Sequence, residues 1–317
     1  MNIKFYLIIA FTAFLMTSCL DMTNEDYERE KTSIDSYLKK HGYTDDNKIF
    51  DGIYIKVFSA ERNDTTYPGN DDILITSMTA YDFYDEVTVT TDSAIAESNK
   101  LYNEYYVYGP IKFALKDFLY GIAIGLSHTN QGDSIEMVIS SEYIGTDYEP
   151  WVVRAKVHEI ILEKDIENWE KDIVDTFTLN KGYTTYKSGI YYKKNIVTEN
   201  DSLEPFGTAS LRIVARYAEF KDKYSPYTLG RICYPLGESD TIVDYEIGDG
   251  QTIYPFCDAI DLLAKDVGFR VGEQIEIVTT SEYAFGESGV VHSSYGNYVV
   301  PTYTPIQYVI DVKSVEN

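Results

Sequence analysis

The residue types that most often do chemistry are few in this chain, and they are not grouped. His41, His128, His158 and His292 never stand two or four residues apart, so no two share a strand or helix face as metal ligands would. Each reads as a surface or cleft residue. Cys19, Cys233 and Cys257 lack the spacing of a zinc or haem site. Gly69-Asn70-Asp71-Asp72 is acidic but has no calcium-loop spacing and reads as a solvated turn, as do Asn63-Asp64-Thr65 and Asn200-Asp201-Ser202. No catalytic triad or metal cluster emerges. The chain is aromatic instead: 30 tyrosines among 317 residues, with 44% apolar residues, indicate folded, strand-rich domains and exclude a disordered chain.

The elements that must position those aromatics occur twice. Gly52-Ile53-Tyr54-Ile55-Lys56 returns 137 positions later as Gly189-Ile190-Tyr191-Tyr192-Lys193. Gly42-Tyr43 returns as Gly182-Tyr183, and Ser141-Glu142-Tyr143 as Ser281-Glu282-Tyr283, both 140 positions on. A near-constant offset of that length marks two copies of one small globular domain. Each copy opens with a helical pattern, Tyr27, Ile34, Tyr37 and Leu38 in the first and Trp169, Ile173, Val174 and Phe177 in the second. Strands are expected at 53–58 and 190–196, then, beyond turns that carry Pro68 and Pro205, at 73–81 and 211–217 with the alternation of a half-buried sheet. A short helix follows in each, then strands at 134–139 and 274–279, and closing strands at 151–161 and 306–315. The order predicts an α+β architecture in which a bent antiparallel sheet packs on a short helix. The join, residues 163–171, is charged and helical, which predicts a fairly fixed relation between the copies.

Lys4, an apolar run over residues 5–15, and Met16-Thr17-Ser18-Cys19 read as an export leader, too short to span a membrane comfortably. The cysteine at its end resembles a bacterial lipoprotein box. That resemblance implies lipid on Cys19 and a place in the cell envelope, at the outer membrane, periplasmic or surface-facing. An ordinary secretory signal is the alternative. In an exported chain Cys233 and Cys257 either pair or remain buried thiols. The formal charge of −24 excludes nucleic acid as a partner and argues against adhesion to anionic head groups, leaving the lipid as the membrane link.

The second copy carries a family resemblance. Ser281-Glu282-Tyr283-Ala284-Phe285-Gly286-Glu287, then Val299-Val300-Pro301, then Ile306-Gln307-Tyr308-Val309-Ile310-Asp311-Val312 resembles the end of an FKBP-type peptidyl-prolyl isomerase. The stretch from Tyr245-Glu246-Ile247-Gly248 to Ile253-Tyr254-Pro255-Phe256 is similar to the approach to that family's pocket helix. In the first copy Tyr120-Gly121-Ile122-Ala123-Ile124-Gly125-Leu126 keeps the family's glycine spacing. The leading helix before Gly-Ile-Tyr resembles lipid-anchored FKBP-like proteins of Bacteroidetes-type bacteria.

The resemblance implies two tandem FKBP-like domains, residues 20–162 and 163–317, behind a leader of residues 1–19. The family turns X–Pro bonds against an amide barrier of roughly 18–20 kcal/mol, with a dry aromatic pocket and a few hydrogen bonds in place of a nucleophile. It needs no cofactor or metal, and the partners implied are proline-containing polypeptide segments or envelope proteins. Carried over residue by residue, it puts Phe256 at the pocket floor, Ile253 at a backbone contact, Tyr217 on a wall, Tyr308 on the opposite strand and Val300 on the flap. Tyr245 joins this pocket. Phe285 stands where the family has a tyrosine, which removes one hydroxyl. The family's Phe-Asp pair has no clear counterpart, with Asp240 and Asp244 near its place. The spacing from Ala259 to Gly272, against Gly125 to Gly132, implies a six-residue insertion beside the second pocket. The first copy puts Ile122 at the floor, has only eight positions from Tyr143 to Trp151, and aligns Tyr81 with Tyr217 only by a one-residue slip. It reads as a spacer or interaction domain. Isomerisation by the second copy is one reading, and a non-catalytic binding or chaperone module is the other. A glycan-binding surface with aligned tyrosines is a third.

Overall fold

The structure, a computed structural model, describes residues 24–58, 67–104, 106–146, 149–204, 207–218, 232–234, 242–246, 258–291 and 298–317. Among them are two antiparallel sheets built to one plan. The first contains β1 (Lys48–Phe50), β2 (Ile53–Phe58), β3 (Ile73–Tyr81), β4 (Val87–Thr90), β5 (Ile111–Ala114), β6 (Ser134–Ile139) and β7 (Trp151–Ile161). Its order is β1-β2-β6-β7-β3-β4, with β5 also on β3. The second contains β8 (Thr184–Lys187), β9 (Ile190–Ile196), β10 (Thr208–Tyr217), β11 (Ile232–Tyr234), β12 (Ile242–Glu246), β13 (Gln274–Thr279) and β16 (Ile306–Glu316). Its order is β8-β9-β13-β16-β10-β11, with β12 also on β10. Between β13 and β16 lies a separate pair, β14 (Val290–Val291) and β15 (Tyr298–Val300).

The repeated motifs occupy corresponding places in these sheets. Gly52 and Gly189 close the tight turns before β2 and β9 with φ of +75° and +78°, a region costly for any residue with a Cβ, so each Gly-Ile-Tyr motif begins with glycine. The Ser-Glu-Tyr motifs are single 3₁₀ turns, Ser141–Tyr143 and Ser281–Tyr283, that follow β6 and β13.

Each sheet is covered on both faces. On the inner face of the first lies α3 (Tyr120–Leu126), and on that of the second α5 (Asp258–Asp266). The outer faces take the leading helices α1 (Asn24–Lys40) and α4 (Ile166–Thr178). Ile34 packs with Val138 and Tyr54 in the first copy, and Val174 with Val278 and Tyr191 in the second. Under each helix a tyrosine hydroxyl donates to a strand carboxylate, Tyr43 to Glu136 at 3.1 Å and Tyr183 to Glu276 at 2.5 Å. Burial and the adjacent carboxylate hold both phenols well above their ordinary range. A lysine covers each ring, Lys56 at 4.3 Å and Lys193 at 5.0 Å from the centroid. A further short helix, α2 (Ser93–Ser98), is capped by Asp92, whose side chain accepts from the backbone of Ala94 and Ile95. No described helix is long and apolar enough to cross a membrane.

The join is helical, a 3₁₀ turn over Glu163–Asp165 running into α4. Ile166 and Trp169 on α4, together with Tyr303, pack on Ile73, Ile75 and Ile161 from the outer face of the first sheet. This contact explains why β3 lacks the half-buried alternation expected of it, which β10 does show. Ile73, Leu74 and Ile75 are buried consecutively, because domain–domain packing covers the face that water would otherwise meet.

One sequence expectation is corrected. The six-residue insertion beside the second pocket is absent: α5 has nine residues against seven in α3, and each helix is followed by the same six positions to Gly132 or Gly272. Gly125 and Ala259 do not occupy corresponding places, for Gly125 is next to last in α3 and Ala259 is second in α5.

Candidate functional site

The inner face of the second sheet is laid down by strict alternation along two strands. On β10 it buries Leu211, Ile213, Ala215 and Tyr217, and on β16 Ile306, Tyr308, Ile310 and Val312. Tyr217 pairs with Ile306 and Ala215 with Tyr308, so the two tyrosines lie diagonally on one face. The turn after β13 brings Phe285 to Tyr308, with ring centroids 6.4 Å apart and planes at 27°. Val300, at the end of β15, joins the same cluster. Four of the seven expected pocket residues, Tyr217, Phe285, Val300 and Tyr308, therefore meet in one core. Tyr245 lies on β12 opposite Ala209, which places its backbone beside β10. Ile253, Phe256 and Asp240 lie outside the described residues, as do Cys19 and Cys257, and nothing is described of the Cys233 side chain. Asp244 lies on β12 opposite Ser210.

This cluster is tightly closed. Tyr217 is 1% exposed, Tyr308 0% and Val300 1%, and Phe269, which follows α5, is 0% exposed in the same core. Phe285 is partly buried.

In the first domain the corresponding space is filled. Ile122 is buried on α3, and Met137, Ile139 and Trp151 pack beneath the helix. Gly121 and Gly125 bring α3 onto the sheet: a Cβ on Gly125 would lie 2.0 Å from Met137 Sδ, and one on Gly121 2.5 Å from Ile139 Cγ2. Tyr81 pairs with Val152 and not with Trp151, so the one-residue slip against Tyr217 is built into the register, and its side chain is only half-buried.

The sequence reading missed a second duplicated constellation. Glu30 on α1 accepts the Ser141 N–H at 2.7 Å and the Ser141 hydroxyl at 2.8 Å. Glu170 on α4 accepts the Ser281 N–H at 2.9 Å and hydroxyl at 2.8 Å. Each acid stands 111 residues before its serine, and that constant separation was the available signal. Burial pushes the Glu170 carboxyl above its ordinary value, and the Ser281 bonds and the charge on Lys112 only partly offset this. Glu170 also borders a cleft of about 320 Å³ between the domains, where Glu163, Glu167, Glu282 and Glu287 face Lys116, itself paired with Asp71 at 2.8 Å. Asp72 of the acidic turn is fully engaged by backbone donors, Gly69 at 2.7 Å and Glu163 at 2.8 Å, which makes that turn a brace for the join.

No protein-family model matches the chain, and no curated protein matches it. Among solved structures it is similar to a peptidyl-prolyl cis-trans isomerase from Pseudomonas syringae, at 14% identity over 49% of this chain and 96% of that one, with a TM-score of 0.36. FkpA from Escherichia coli is similar at 15% identity, 51% of this chain and 75% of that one, TM-score 0.35. The three FKBP domains of wheat FKBP73 are similar at 13% identity over 84% of this chain and 95% of that one, TM-score 0.30. At 13 to 15% identity the likeness concerns the fold alone.

Proposed function

We propose that the chain is a lipid-anchored, two-domain FKBP-like folding factor of the cell envelope whose second domain binds X–Pro segments and turns their amide bonds. The observation that carries this reading is the meeting of Phe285 and Val300 with Tyr217 and Tyr308, which share one sheet face, in a single core. These are the positions that the family resemblance assigns to pocket walls and flap. Catalysis in such a pocket consists of desolvating the proline ring and favouring the twisted amide, so it needs no ionisable group. The lipid on Cys19 and the envelope setting follow from the leader, and the acidic chain fits a tether that relies on lipid and not on charge. The test is line-shape exchange on an X–Pro peptide with the mature chain. Faster cis–trans interconversion supports the reading, and an unchanged rate beside a well-folded protein removes the enzyme.

A second reading is favoured by a specific observation. Tyr217 and Tyr308 are closed over in the core that also holds Phe269, and Phe285 supplies no hydroxyl to hold a substrate carbonyl. On that reading the second domain binds polypeptide without turning it, as a chaperone or envelope adaptor. Peptide binding without catalysis distinguishes it.

A further inference from the structure

The first domain has lost its own pocket, yet it keeps a buried charge that no core needs. Lys112 on β5 is 2% exposed. Its ammonium donates to the backbone carbonyl of Tyr303 at 3.2 Å and sits 5.0 Å from the centroid of the Trp169 ring. Both of these groups belong to the second domain. A buried ammonium is costly unless its donors are used, and an apolar side chain would fill the same volume without that cost. What lysine adds is a donor aimed at one peptide group of the neighbouring domain and a positive charge that acts on that domain's buried Glu170.

We propose that the first domain is the fixed support for the arm carrying Val300, and that Lys112 is the positioning residue that holds it. The arm is buried throughout residues 300–306. Tyr303 stands at its middle with φ of +49°, outside the regions a tyrosine ordinarily adopts. Its own domain grips it through Glu287, whose backbone carbonyl and carboxylate each accept from Tyr303 at 3.0 Å. The first domain grips it through Lys112 and through Ile73, Ile75 and Ile161. Three residues before Tyr303, Val300 enters the aromatic core. Three residues after it, Ile306 pairs with Tyr217 and Thr279.

The duplication provides an internal control. Lys112 lies opposite Ile75, just before the irregularity in β3, and the matching place opposite Ser210 in β10 is taken by Asp244. Ile73, Ile75 and Ile161 correspond to Thr208, Ser210 and Glu316. The second copy thus has neither the donor nor the apolar seat. The support is a specialisation of the first copy and not a property of the common fold.

Hydrogen exchange on the full chain tests this. Lys112→Met keeps the packing volume and should speed exchange over residues 300–306 by at least about tenfold, the effect of losing a charge-assisted bond, while β9 and β13 keep wild-type protection. Trp169 emission should change with it, and Lys112→Arg should restore both. Ile73→Thr, the residue type found in the second copy, should loosen the same arm without touching the lysine. Wild-type exchange over 300–306 in Lys112→Met, or equal loosening of the whole chain in both variants, overturns the proposal. Its consequence for ligands rests on the proposed X–Pro site: Lys112→Met should weaken an X–Pro peptide that Lys112→Arg still binds. A wild-type chain that binds no such peptide removes the site but leaves the exchange result to decide the support.

Discussion

Glu170 holds Ser281 with both carboxylate oxygens, accepting the backbone N–H at 2.9 Å and the hydroxyl at 2.8 Å, and Glu30 holds Ser141 in the same way. Each bond ties a leading helix on the outer face to the turn that ends a central strand. In the second domain that turn leads to Phe285, so the helix packed against the first domain is joined to the aromatic core through one carboxylate. Glu170→Ala should cost about 2–3 kcal/mol, because it leaves a buried N–H without its acceptor. Ser281→Ala keeps the N–H bond and should cost less. Urea unfolding of both variants checks the order, and an equal loss in the two would contradict it.

The sign of the pH effect at Glu170 follows from burial. Its folded carboxyl binds a proton at higher pH than the unfolded one. Between the ordinary glutamate value and that raised value the folded chain holds the extra proton, so this group's contribution falls as pH rises through the interval. Glu170→Gln has no proton to lose, so the stability advantage of wild type over this variant should shrink as pH rises from about 4. A difference that stays constant or grows would count against the buried state of this carboxyl.

Gly125 is where the first domain closes its pocket. Gly125→Ala should destabilise that domain by about 1–3 kcal/mol through overpacking against Met137, despite alanine's better helix propensity of about 1 kcal/mol. Adding Met137→Ala should cost less than the two single losses combined. Strict additivity in thermal unfolding would show that the two residues do not press on each other.

Phe285→Tyr tests the site itself. A hydroxyl worth about 1 kcal/mol in the transition state raises an isomerisation rate about fivefold. The expected result is a faster enzyme with unchanged stability. An unaltered rate would mean that Phe285 does not face the substrate.

Much of this architecture was legible because it is written twice. The offsets of Gly52-Ile53-Tyr54 and Ser281-Glu282-Tyr283 placed the turns, and the family resemblance singled out Tyr217 and Tyr308, which β10 and β16 bring to one face. The Glu170–Ser281 bond was present as a repeated separation, but it joins groups 111 residues apart and local patterns do not expose it. Lys112 had no signal at all. It lies within the apolar stretch Ile111-Lys112-Phe113-Ala114, and its partner belongs to the other domain. The supposed insertion before Gly272 arose from matching single glycines where helix ends were needed. The half-buried alternation expected of residues 73–81 does not hold, because the other domain covers the face of Ile73 and Ile75 that a half-buried strand would leave wet.

The most direct test of the central claim is refolding of a proline-limited protein substrate in the presence of the mature chain and of its Phe256→Ala variant. Uncatalysed X–Pro isomerisation takes tens to hundreds of seconds, so acceleration is easily resolved. The account predicts faster refolding with wild type and loss of that acceleration with Phe256→Ala. A folded wild-type chain that leaves the slow phase unchanged would contradict it.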